Sequence, residues 1–207
     1  MGTATAMSPG MALAKVPPGR FVHVNDLPGT PAAKSSAVSR AHKAGDLLPI
    51  RKGLYYKGAK TRYGMTRPSS EEIAAEVLGA IGVGPCGYSA ARALGLTTQV
   101  PSQPTLTVAG PVPTSVPGVK VSRRNNMRRR KLRYTEIALL ELLRGDWEAT
   151  VDDGWPALVS AYDNAVRARK IRPAAVSDAI ACERSPTARK NFAKLMGETV
   201  DSAVGRA

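Results

Sequence analysis

Apolar and polar positions follow two different periods along this chain, and the switches between them outline its elements. From Phe21 to Lys57 the chain reads FVHVNDLPGTPAAKSSAVSRAHKAGDLLPIRKGLYYK. Phe21-Val22-His23-Val24 alternates weakly and fits either a strand or the lead-in to a helix. Asn25-Asp26-Leu27 fits a one-turn helix, and Pro28-Gly29 signals a turn. A helix of small residues then runs to about Ala44, with Gly45 as its stop. Two starts compete for it: Thr30 as cap with Pro31 in the first position, or Ser35 or Ser36 after a lead-in from Pro31 to Lys34. Val38 and Ala41 mark its buried side. Asp46 to Ile50 and Leu54 to Lys57 predict a two-stranded ribbon closed by Arg51-Lys52-Gly53, where glycine accepts positive φ. Leu48, Ile50, Leu54 and Tyr56 would pin the ribbon to the helix. Ahead of this block, Ala12 to Val16 predicts a short helix stopped by Pro17-Pro18-Gly19, and residues 1–10 are expected to be disordered.

Beyond the ribbon, Lys57 to Pro68 is basic, rich in turn residues and without periodicity, so it reads as a linker. Ser69 and Glu72 have the spacing of a capping box. They open a helix with Ile73, Val77, Leu78 and Ile81 on one face, broken from Gly82 to Gly87. Tyr88 to Leu94 predicts a second short helix. Thr105 to Val108 and Val119 to Val121 alternate as strands on either side of AGPVPTSVPG, which fits a hairpin or a small sheet. Tyr134 to Leu143 predicts an amphipathic helix led by Ile137, Leu140 and Leu143. The tail predicts helices at Trp155 to Lys170, Pro173 to Cys182 and Ser185 to about Met196. The first of these carries a small-residue stripe at Ala157, Ala161, Ala165 and Ala168.

Charge narrows the choice of partner. The 207 residues carry a formal net charge of +14, with 43% hydrophobic and only 5% aromatic residues. Such a balance favours a polyanion: DNA, RNA or an anionic membrane surface. No apolar run reaches the length of a membrane span. The opening segment lacks the basic start of a signal peptide, and Met7 and Met11 are alternative starts. Cys86 and Cys182 form neither a metal knuckle nor a disulfide framework, which fits a cytoplasmic setting.

On the small-residue helix, Lys34, Ser35, Ser36, Ser39, Arg40 and Lys43 are candidate DNA contacts. Short hydroxyls let a backbone approach the major groove, and an arginine can grip guanine in bidentate fashion. Arg51 and Lys52 at the ribbon's turn, with Tyr55 and Lys57, extend the set toward phosphates or the minor groove. A helix followed at once by a basic-tipped ribbon has the outline of a winged helix-turn-helix. A second basic block, SRRNNMRRRKLR from Ser122 to Arg133, holds seven basic residues and no acid. Arg123, Arg124, Arg128, Arg129, Arg130 and Lys131 are therefore a candidate second nucleic-acid contact, to DNA or RNA, set against a solvated turn. His23 and His42 lack partners at metal spacing. The carboxylates, among them Glu71, Glu72, Glu136 and Glu141, read as helix-start and solvated-face residues. No metal, cofactor or catalytic constellation is indicated, so an enzyme is not expected.

The succession DL…SAVSRA…GDLLPIRKGLYYKG, TRYGMTRPSSEEIA, GYSAARALGLTTQVP and RYTEIALLELLRGDW resembles the AbiEi-type antitoxins of type IV toxin–antitoxin systems, over about residues 20–147. The resemblance implies an N-terminal winged helix-turn-helix that binds inverted repeats upstream of its own operon. It implies a C-terminal α/β domain needed to neutralise a nucleotidyltransferase-like toxin, without a stable complex being required. The expected fold class is α+β. A DNA-binding domain would span residues 11–66, and a C-terminal domain with a helical tail residues 67–207. Two other readings compete: a winged-helix regulator without a toxin, and an RNA-associated protein using the second basic block.

Overall fold

The computed structural model describes residues 7–79, 81–112 and 116–204, with side chains as far as Thr199. The chain has an α+β fold and separates into two compact units, Met1–Glu76 and Val77–Ala207.

In the first unit, α1 (Pro9–Lys15) starts where the Ser8 hydroxyl accepts the Met11 amide and Pro9 occupies the first turn. Residues 1–6 of the segment expected to be disordered lie outside the described residues. Ser8 to Gly10 belong instead to the start of this helix, because the Ser-Pro pair is a helix-start signal. Strand β1 (Arg20–His23) leads into a 3-10 turn at Val24–Asp26 and then α2 (Pro31–Lys43). Strands β2 (Leu48–Arg51) and β3 (Leu54–Lys57) follow. The sheet order is β1-β3-β2, all antiparallel. Pro49, which cannot donate to a ladder, sits on the edge strand where that costs nothing. The ladder slips between Pro49 and Arg51, leaving Ile50 as a bulge. The succession α1-β1-turn-α2-β2-β3 has the connectivity of a winged helix. Leu13, Val22, Leu27, Ala37, Val38 and Leu47 form its core. Leu54 and Tyr56 are buried as well, whereas Leu48 and Ile50 are only half-buried.

The segment read as a linker is partly ordered into a second hairpin, β4 (Lys60–Thr61) and β5 (Gly64–Met65). Its pairs are too short to show a period. Next, α3 (Ser70–Leu78) opens on the expected capping box: Ser69 Oγ accepts the Glu72 amide, and Glu72 accepts the Ser69 amide at 2.7 Å. Most of α3 lies in the first unit, so the division falls at Glu76 rather than at residue 66. Glu76 accepts from His23 across 2.6 Å, which ties α3 to β1.

The second unit is built on β6 (Val83–Pro85), α4 (Tyr88–Ala93), β7 (Thr105–Ala109) and β8 (Lys120–Arg124). β6 is antiparallel to β7, but β8 is parallel to it, so the strands flanking AGPVPTSVPG are sheet neighbours and not a hairpin. Pro113, Thr114 and Ser115 of that connection lie outside the described residues. After a 3-10 turn at Met127–Lys131 comes α5 (Tyr134–Glu141), which continues through a π-helical turn at Leu142–Asp146 into α6 (Trp147–Thr150). Gly145, at φ 124°, makes that turn possible. α5 is not amphipathic: every residue from Glu136 to Leu143 is buried. The helices α7 (Gly154–Arg167), α8 (Pro173–Ala181) and α9 (Pro186–Val204) complete the unit, packing Leu158, Val176 and Leu195 around α5. Among the described residues no helix is long and apolar enough to cross a membrane.

Candidate nucleic-acid interface

The caps of α2 come from its own sequence. Thr30 Oγ1 accepts the Ala33 amide at 3.3 Å, so the competing start at Ser35 or Ser36 is set aside. At the other end Asp46 donates to Ala41 and Gly45, at φ 70°, donates to His42. That double closure satisfies carbonyls which would otherwise be orphaned. Ala37 and Val38 face the core, which leaves Ser35, Ser36, Ser39, Arg40 and Lys43 exposed at helical spacing. None of these five has a side-chain hydrogen bond or ion pair among the described residues. The basic last turn also favours the helix through its dipole.

The ribbon keeps its two cations beside the turn, but Arg51 ends β2 instead of belonging to the loop. Arg51 pairs with Leu54, so Lys52-Gly53 is a two-residue loop with Gly53 at φ 80°. Arg51 and Lys52 are exposed and without a side-chain partner among the described residues. Lys34 and Lys57 differ from the expectation. Lys57 Nζ donates to the Leu13 and Ala14 carbonyls at 2.8 and 3.1 Å and so closes the end of α1. Lys34 Nζ donates to the Asn25 carbonyl at 2.7 Å and holds the 3-10 turn against α2. Both serve the frame, because free carbonyls at short-helix ends attract the nearest ammonium. Tyr55 packs on the core with its ring 6.4 Å from that of His42.

The β4–β5 hairpin adds residues that the sequence reading missed. Lys60 pairs with Asp46 at 2.5 Å, joining this hairpin to the end of α2. That contact, mainly the hydrogen bond itself, holds the Asp46 carboxyl below its ordinary range. At the tip, Tyr63 is 83% exposed and the Arg62 guanidinium lies 4.5 Å from its ring. The signal for it is the dipeptide before Gly64 in TRYGMT, a two-residue turn too short to register as a period.

Two residues of the second basic block are claimed by the fold, and for these the expectation is corrected. Arg129 is buried, bonding Glu141 at 2.5 Å and Glu183 at 2.7 Å. Arg124 grips Glu141 through Nε and Nη2, at 3.0 and 2.5 Å. Arg128 lies 3.6 Å from Asp178, while Arg123, Arg130 and Lys131 are exposed. Arg129 therefore leaves the candidate contact set, and Arg124, a quarter exposed, keeps only what its grip on Glu141 leaves over. A carboxylate buried within reach of a guanidinium must keep that partner or lose its charge. Glu141, read as a solvated-face residue, and Glu183 are the buried anions that demand it here; Glu136, read the same way as Glu141, is also buried but is held by Arg172.

Burial pushes the Glu136 carboxyl upward. The Arg172 guanidinium and the Arg133 and Arg172 amides outweigh that and hold it below its ordinary value. For Glu183, burial is likewise outweighed, first by Arg129 and then by Asn126 and Arg144. With both folded values lowered, the folded state binds fewer protons than the unfolded chain. Their stabilisation is complete above the ordinary glutamate range, about 4.3, and is lost as pH falls through the lowered folded values. The urea midpoint is expected to hold near neutral pH and drop between about pH 4.5 and pH 3. A midpoint unchanged across that window would contradict this assignment.

No family model matches this chain, and no curated protein matches it. Among solved structures it is similar to the crystal structure of the Rv2827c protein from Mycobacterium tuberculosis. The TM-score is 0.51 at 17% identity, over 89% of this chain and 73% of that one. At that identity the likeness concerns the fold alone.

Proposed function

We propose that this chain is a DNA-binding autoregulator acting as the antitoxin of a type IV toxin–antitoxin pair. The observation that carries the DNA reading is the exposed face of α2. Three hydroxyls, Arg40 and Lys43 stand there without partners among the described residues, followed in the chain by the Arg51-Lys52 tip. α2 would lie in the major groove, with Arg40 reading a base edge and the serines allowing close approach. Arg51 and Lys52 would neutralise phosphates beside it. Repression follows from occupying the promoter. The antitoxin part is supported by the sequence blocks from Phe21 to Trp147.

An electrophoretic titration against the chain's own upstream region tests the DNA reading. Arg40→Ala should weaken operator binding by about 1–3 kcal/mol and lose preference over unrelated duplex. Arg51→Ala with Lys52→Ala should weaken binding to every duplex and shallow the salt slope by about 0.9 per lost phosphate contact. Unchanged affinity in both variants would remove the model. The antitoxin part is tested by growth: expression of a neighbouring nucleotidyltransferase-type product should be toxic, and co-expression of this chain should relieve it. Absence of rescue leaves a plain regulator.

A further inference from the structure

The buried ion pairs of the second unit form the floor of a small cationic pocket of about 200 Å³. Arg124 and Arg144 line it, each only partly exposed and each anchored from below by a fully buried carboxylate. Arg124 is held by Glu141 in a two-point grip, and Arg144 by Glu183 through Nη1 at 2.7 Å. Arg123 and Arg184 stand at the rim, exposed and without side-chain partners among the described residues. Asn125 adds an amide beside them.

The charges do not cancel. Glu141 and Glu183 are already shared by Arg124, Arg129 and Arg144. Three guanidiniums against two carboxylates leave one positive charge over, before Arg123 and Arg184 are added. Glu183 itself lines the pocket, so only the surplus positive charge is left without a counter-charge, and an anion relieves it. Arg144 uses only one of its five N–H donors on Glu183. A guanidinium fixed in place by a buried carboxylate loses little freedom when it binds again.

We propose that this pocket binds a phosphate group. Arg124 spends its fork on Glu141 and its Nη1 on the Arg123 carbonyl. The donors that Arg144, Arg123 and Arg184 keep open suit an anion with three or more oxygens, whereas a carboxylate is filled by a single arginine. The volume is below that of an ordinary cofactor site, so only the phosphate and its nearest atoms enter. The inference goes beyond the proposed operator reading and does not rest on α2 or the β2–β3 turn. The phosphate comes from a free phosphate or phosphomonoester, or from a nucleic-acid backbone.

Calorimetric titrations of the full chain at low salt, with inorganic phosphate, AMP and adenosine, test it. A single-stranded oligonucleotide is added in a chain already carrying Arg40→Ala, Arg51→Ala and Lys52→Ala, so that operator binding does not interfere. Arg123→Ala with Arg184→Ala removes only exposed rim side chains. It should weaken the responding probe by about tenfold or more. Arg128→Ala with Lys131→Ala removes the same charge outside the pocket and should change affinity less than about twofold. Phosphate or AMP binding without adenosine binding, lost only in the rim variant, assigns a free phosphate or phosphomonoester. Oligonucleotide binding alone, lost only in the rim variant, assigns the backbone. Binding by no probe, or equal loss in both variants, overturns the proposal whatever the fate of the operator model.

Discussion

Arg129→Ala is expected to destabilise the second unit by about 3–5 kcal/mol, enough to threaten a domain of ordinary stability. Its side chain is 1% exposed and touches both buried carboxylates of the network. Truncation leaves Glu141 with Arg124 and Glu183 with Arg144, both of which lie nearer solvent. It also opens a cavity the size of a guanidinium in a region that water does not reach. Arg129→Lys keeps the charge but not the fork, and one ammonium cannot follow both carboxylates at the same distances. Its loss should fall between wild type and alanine. Arg129 is not ideally satisfied, since its Nη2 finds no partner among the described residues. Urea unfolding followed by circular dichroism gives the measurement. An alanine variant within about 1 kcal/mol of wild type would mean the network does not hold the unit together.

Gly84→Val is the second large effect. β6 runs so close to α5 that even a Cβ on Gly84 would overlap the Ile137 side chain. Ile137 is fully buried on a helix packed on every side, so it has nowhere to retreat. Overpacking of this kind costs about 1–3 kcal/mol and occasionally more. Gly84→Val with Ile137→Ala should recover part of the loss, because the two residues compete for one volume. Strict additivity of the two single losses in thermal unfolding would show that the clash is relieved elsewhere.

What the sequence reveals here is mostly local. The limits of α2, its threonine cap and its glycine stop, and the Ser69–Glu72 box depend on residues a few positions apart. Nearby backbone groups decide them. β6 escapes notice because Val-Gly-Pro offers no alternation, and its identity as a strand comes entirely from β7 and α5. The parallel pairing of β7 with β8 is also a long-range decision, which the turn residues between them conceal. The largest gap concerns charge. Glu141 lies within LLELLR, surrounded by leucines, and that setting is the trace in the sequence of a buried anion. Once it is buried, Arg124 and Arg129 within Ser122 to Arg133 have a structural reason. The candidate interface divides in the same way: Ser35, Ser36, Ser39, Arg40, Lys43, Arg51 and Lys52 stand open as their spacing implies. Lys34 and Lys57 do not, because whether a lysine is free depends on which carbonyls the fold brings near it.

The closing of α1 by Lys57 changes how an alanine scan of the first unit would have to be scored. Removing Lys57 frees two carbonyls and loosens α1 against the body that carries α2. Its loss would appear in a gel shift beside that of Arg51, and affinity alone would rank the two together. The exponent of salt dependence separates them: an ion released from a phosphate changes it, while a loosened helix does not.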